Sequence, residues 1–129
     1  LHLSIRRQRQ MCIRDSFMDT MLINDLINEL HTIEDRYNIV KNSETNFDFY
    51  EVVYPYSQAI DTMLENLIKL KPQIIQLSYM NANKFDLLIK SYKELSVDCH
   101  FYRTSKKLFN EKLKAVNYDL NYIYQTIEG

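Results

Sequence analysis

Glycine is nearly absent: the only one in 129 residues is Gly129. Gly-rich phosphate loops, dinucleotide fingerprints and nucleophile elbows need glycine where the backbone turns sharply or approaches a ligand, so all three are excluded. Chain reversals are expected to fall to Asn, Asp, Ser and Pro. Tryptophan is missing, and the two prolines are Pro55 and Pro72. No apolar run reaches the ~20 residues that span a membrane, and none supplies the roughly seven-residue apolar core of a secretory signal. A net charge of −1 leaves no basic footprint of the kind a nucleic-acid binder carries.

Residues 6–16 read RRQRQMCIRDS, unlike the Asn-, Ile-, Lys- and Tyr-rich remainder. Met11–Ser16 back-translate to ATG TGT ATA AGA GAC AG, the mosaic end that a transposase leaves on sequencing libraries, and CAG for Gln10 supplies the AG before it. Residues 1–16 are therefore expected to be translated adapter, disordered or a fortuitous helix extension, and are set aside from fold reasoning. The alternative is a genuine basic arm. Residues 17–129 then make a single domain, long enough to bury a core without staples. Losing four arginines and Asp15 moves the formal charge from −1 to −4. Cys99 becomes the lone cysteine, which forbids an internal disulfide and fits a reducing cytoplasm. The residue bias suggests an AT-rich bacterial genome.

Four apolar seams of helical period follow. The first is Leu22, Leu26, Leu30, Ile33, Tyr37 and Val40, ended by the polar run 41–46. Asp48 and Glu51 form an Asp-x-x-Glu capping box before a second seam: Val53, Tyr56, Ile60, Leu64, Leu67, Lys71 and Ile74. Each proline in that span removes a backbone donor, so a kink or break is expected at Pro55 or Pro72. Met80-Asn81-Ala82-Asn83 reads as a connection. Phe85, Leu88, Tyr92, Leu95, Cys99 and Tyr102 make the third seam. Thr104 or Ser105 caps a fourth helix carrying Phe109, Leu113, Val116, Leu120, Ile123 and Ile127. No stretch alternates like a strand. The expected fold is all-α, an up-down-up-down four-helix bundle with short connections.

The run Phe47-Asp48-Phe49-Tyr50-Glu51-Val52-Val53-Tyr54-Pro55 resembles the YppE-like family of small Bacillota proteins. The likeness returns at Leu95-Ser96-Val97, at Phe101 and at Thr104-Ser105-x-Lys107-x-Phe109, covering most of residues 46–125. Residues 72–84 match poorly, and Tyr102 stands where the family has proline. The resemblance implies a four-helix bundle in a family without assigned activity.

Candidate chemistry is sparse. Neither His31 nor His100 follows a carboxylate by three residues, so the Glu-x-x-His pattern of di-metal bundles is missing. His31 and Glu34 read as a solvated pair, and no metal or cofactor is expected. Cys99 falls on a seam and reads as core. Ser96 and His100 share a face but have no third group to orient the histidine, so both are placed at the surface. Tyr37, Tyr56 and Tyr92 lie on seams, with their hydroxyls led to the edge. Tyr118 and Tyr122 lie opposite the fourth seam, and Arg103, Lys107 and Lys114 project toward the same outer face. These five residues form a candidate docking strip for an unidentified protein partner, an acidic one among the options. The expected role is a cytoplasmic interaction or accessory module rather than an enzyme, because inward charged clusters are lacking. The alternative is a bundle enclosing a small ligand or an unrecognised core chemistry.

Overall fold

The computed structural model describes the backbone of residues 2–128 and the side chains of residues 19–127. The chain is all-α: the described residues form five α-helices and a π-helical turn, with no strand. Helix α1 (His2–Ser43) buries Ile23, Leu26, Leu30, Ile33, Tyr37 and Val40. Ile23 is fully buried and Leu22 only half-buried, a one-residue rotation of the expected seam. The adapter reading of residues 1–16 falls outside the described side chains.

Helices commonly end on a left-handed residue, usually glycine, just past the last turn. Glycine is not available here, and Glu44 takes that conformation at φ 54° instead. This reversal departs from the expected use of Asn, Asp, Ser and Pro. The next residues are pinned to the far connection: the Phe47 N–H donates to the His100 carbonyl at 3.1 Å, and Asn46 Oδ1 accepts from Tyr102 N–H at 2.7 Å.

Asp48 caps the following segment as the capping-box pattern anticipates, its Oδ1 accepting from Glu51 N–H at 2.7 Å. That segment is a π-helical turn, Phe49–Val53, which runs into α2 (Tyr54–Ile68). Pro55 sits in the first turn of α2, where its missing donor costs nothing. The expected single second helix is broken at Lys69–Leu70, and Pro72 lies in the first turn of a separate short helix, α3 (Lys71–Ile74). Met80, read from sequence as part of a connection, is a core residue at 6 % exposure. Helix α4 (Ala82–Asp98) starts one residue after its cap, Asn81, whose Oδ1 accepts from Lys84 N–H at 2.8 Å.

Because α4 stops at Asp98, Tyr102 lies beyond it and is 41 % exposed rather than on the third seam. Ser105 caps α5 (Lys106–Glu128), with Leu108 N–H at 3.4 Å from its Oγ. Thr104 turns back to donate its hydroxyl to the Asp98 carbonyl at 2.6 Å.

Helix α1 packs against α5 and α2, and α4 packs against α5 and α2. One continuous core joins them, running from Ile23, Ile74 and Ile123 to Tyr37 and Phe109. Tyr37 and Phe109 stack with ring centroids 4.0 Å apart. The Tyr92 hydroxyl, buried, donates to the Leu26 carbonyl of α1 at 2.6 Å. No helix among the described residues is long and apolar enough to cross a membrane.

Candidate functional site

Two places gather chemistry-bearing side chains. The first is interior. Beyond the end of α4 the chain leaves the helical wheel, and the His100 ring turns inward to 0 % exposure. The expected surface placement of His100 and Ser96 is therefore corrected. Ser96 is buried as well, and its small hydroxyl is satisfied within its own helix by the Lys93 carbonyl at 2.7 Å.

A third group does orient the histidine. Arg36 of α1 reaches inward and places Nη1 2.8 Å from His100 Nε2. Guanidinium can only donate, so Nε2 accepts and the neutral ring carries its proton on Nδ1. Cys99 Sγ lies 3.4 Å from Nδ1 and 3.9 Å from Nε2, against the ring rather than along its N–H, while backbone bonds at Val97 and Ser96 favour the ring's proton. Burial, with the Arg36 charge adding to it, lowers the His100 pKa to about 4. Burial pushes the Cys99 thiol up to about 12.

The arrangement is the reverse of a thiolate–imidazolium pair. A base would need a lone pair free for the sulfur, whereas the one His100 offers, on Nε2, is taken by Arg36. Cys99 is 0 % exposed, consistent with the core role read from sequence.

Aromatic rings enclose the pair. The Arg36 guanidinium carbon lies 4.2 Å from the centroid of Tyr56 and 5.9 Å from that of Phe47, and both rings meet His100 edge-on. The Tyr56 hydroxyl donates to Glu29 Oε2 at 2.8 Å. Burial first, then the bond to Glu29, raises the Tyr56 pKa. Tyr37 and Tyr56 lead their hydroxyls toward the edge as expected, with Tyr37 Oη donating to the Thr104 carbonyl at 2.7 Å, whereas Tyr92 keeps its hydroxyl buried on the Leu26 carbonyl. Arg36 brings a single half-buried charge inward, against a neutral His100. Among the described residues no buried side-chain nitrogen or oxygen is left without a partner.

The second place is the outer face of α5. Tyr118 is 59 % exposed, whereas Tyr122 is half-buried and its hydroxyl accepts from the Tyr79 N–H at 3.0 Å. Tyr79, from the connection before α4, meets Tyr118 and Tyr122 edge-on at 5.8 and 5.2 Å. Lys84 Nζ sits 3.5 Å from the Tyr79 ring centroid. Sequence reasoning missed Tyr79 and Lys84 because they lie on a different element with no helical spacing to α5. Lys107 and Lys114 are exposed. Arg103 lines a cleft of about 300 Å³ with Asp98, Ser105 and Lys112. Burial raises the Asp98 carboxyl pKa against the pull of Lys112 and Arg103. His31 and Glu34 are both exposed. No cluster of three or more potential metal ligands occurs among the described residues.

A family model described as a bacterial domain of unknown function, DUF1798, matches residues 23–127. The chain belongs to this family. A DUF1798 protein from Staphylococcus aureus is 42 % identical over 84 % of this chain and 94 % of its own, with a TM-score of 0.83. YppE from Bacillus subtilis is 20 % identical over 82 % of this chain and 91 % of its own, at TM-score 0.74. A Listeria innocua protein of unknown function is 15 % identical over 84 % and 90 %, at TM-score 0.78. The last two likenesses speak to fold alone. No curated protein sequence matches. The DUF1798 relationship agrees with the YppE-like resemblance read from the Phe47–Pro55 run.

Proposed function

We propose that this DUF1798 protein is a cytoplasmic, non-catalytic accessory module that docks an acidic protein through the outer face of α5. The scaffold would be an up-down-up-down bundle of α1, α2, α4 and α5. Its supports are the contacts of the late part of α1 with the start of α5 (Tyr37 with Thr104 and Phe109) and of Asp19 with Ile74 and Ile127 around one cleft. The observation that carries the docking reading is the surface cluster of Tyr79, Tyr118 and Tyr122 beside Lys84. Tyrosines are enriched in interaction surfaces, and this cluster draws on two separate elements. Lys107 and Lys114, at helical spacing from Tyr118, extend the positive charge along α5, while Arg103 lies apart in the cleft with Asp98 and Lys112.

The test is photo-crosslinking in cells, with a benzophenone side chain at Gln125, on the same face, and a control at Asn38 on α1. Adducts are expected from position 125 alone and should vanish when Tyr118→Ala and Lys114→Glu are added. Equal adducts from both positions, or adducts that survive the double substitution, dismiss this face.

A further inference from the structure

The best-matching sequence run, Phe47–Pro55, supplies neither the interior cluster's charge nor the α5 face, yet it carries three exposed aromatic rings, Tyr50 being the most exposed ring among the described residues. Phe49 is 47 % exposed, Tyr50 81 % and Tyr54 46 %. In an α-helix, residues five apart diverge by about 140° and would leave on different sides. The π-helical turn closes bonds one residue longer: Val53 N–H donates to Asp48 O at 3.1 Å, and Tyr54 N–H to Phe49 O. That wider winding gathers the three rings. Phe49 meets Tyr50 edge-on at 5.2 Å and lies 6.3 Å from Tyr54, whose hydroxyl accepts from Gln58 Nε2 at 2.9 Å. π-Helical turns are rare and concentrate at functional sites.

Along the sequence, the charge flanking these rings has one sign. Residues 42–68 contain Glu44, Asp48, Glu51, Asp61 and Glu65 and no lysine or arginine. Glu44, Asp48 and Glu51 are all exposed. The preceding cations are engaged elsewhere: Arg36 lies half-buried against His100, and Lys41 donates to the Tyr102 carbonyl at 2.7 Å. Aromatic faces attract cations through their quadrupole, and neighbouring carboxylates add to that attraction. We infer that the π-helical turn is a docking site for a cationic, Lys- or Arg-bearing segment of a partner protein. Tyr50, Phe49 and Tyr54 would receive its side chains, and Glu44 and Glu51 would pair its charge. This site is separate from the α5 face and opposite to it in sign.

The test is a heteronuclear NMR titration of the full chain with hexa-arginine amide, hexa-citrulline amide and hexa-glutamate amide. Hexa-arginine should shift resonances of residues 47–58, hexa-citrulline should bind at least tenfold more weakly, and hexa-glutamate should leave those resonances in place. Tyr50→Ala should weaken hexa-arginine at least fivefold, and Glu44→Gln with Glu51→Gln should do the same. Asp61→Asn with Glu65→Gln should stay within twofold. Tyr50 is almost wholly exposed, and unchanged spectral dispersion would verify that its substitution leaves the fold intact. Binding unaffected by Tyr50→Ala would reduce the site to general charge attraction and overturn the proposal. Equal binding of hexa-citrulline would overturn it too, as would concentration-dependent self-association that covers these resonances with a second copy of the chain.

Discussion

Where Asp19 of α1 meets Gln73, Ile74, Leu77 and Ile127, the packing is largely aliphatic and leaves a cleft of about 100 Å³. At the opposite end of the core, Arg36, Cys99, His100 and Tyr56 are interlocked by hydrogen bonds and ring contacts. Aliphatic contacts are non-directional, so that end can tolerate an imperfect fit. The polar end has no such latitude, because each buried donor or acceptor deprived of its partner costs free energy. Irregular backbone occurs at both ends: the left-handed Glu44, the π-helical turn and the 99–105 connection lie here, and the 69–70 break and the 75–81 connection lie at the aliphatic end.

The contrast predicts different responses to mutation. Leu64→Ala, at a fully buried aliphatic position, should cost about 2–5 kcal/mol through lost burial and the cavity left behind. Urea titration measures it. A loss below that of any polar-end substitution would show that the aliphatic region does not dominate stability.

Arg36→Leu strands His100 Nε2 without its donor and should cost roughly 1–3 kcal/mol. Adding His100→Phe removes the stranded acceptor, and much of that loss should return, since replacing both partners by apolar groups can be nearly neutral. If the double variant is as unstable as the sum of the singles, the pair is not an interacting unit.

Acid should act on the same place. The His100 pKa falls from 6.5 to about 4 on folding, so its neutral form favours the folded state. That contribution is complete above pH 6.5 and is lost as the pH falls toward 4. Between pH 7 and pH 5 the loss should be about 2 kcal/mol. His100→Phe should flatten this part of the stability profile, while the acid response of Leu64→Ala should match the parent.

The regular parts of this architecture were legible in sequence because helical period, caps and breakers are local signals. Leu26, Ile33, Leu64, Leu95 and Leu120 all fall where their spacing puts them. Asp48 and Ser105 cap as their positions suggest. What the pattern could not carry begins where the period stops. His100 lies two residues past the last residue of α4, Asp98, and a wheel extended past that point sends its ring outward. The partner that draws it inward, Arg36, is 64 residues away. Tyr79 lies on an irregular connection and reaches α5 only in three dimensions. The π-helical turn was disguised in the same way, since its capping box is shared with an ordinary α-helix.

The smallest effect tests the strain assigned to the polar end. Glu44 stands just past α1 at φ 54°, a conformation that costs a non-glycine residue about 1–2 kcal/mol. Glycine relieves that cost but makes the unfolded chain freer, by roughly 0.5–1 kcal/mol. Glu44→Gly should therefore stabilise by about 0.5–1 kcal/mol net, the difference between the two effects. Ser43→Gly is the control, because Ser43 still belongs to α1 and should lose stability by the entropic part alone. The two variants change neighbouring residues and expose almost the same chain, so comparing them isolates the sign of φ. Should Glu44→Gly lose as much as Ser43→Gly, the left-handed turn is not a source of strain. The backbone cost at the polar end would then rest on the π-helical turn alone.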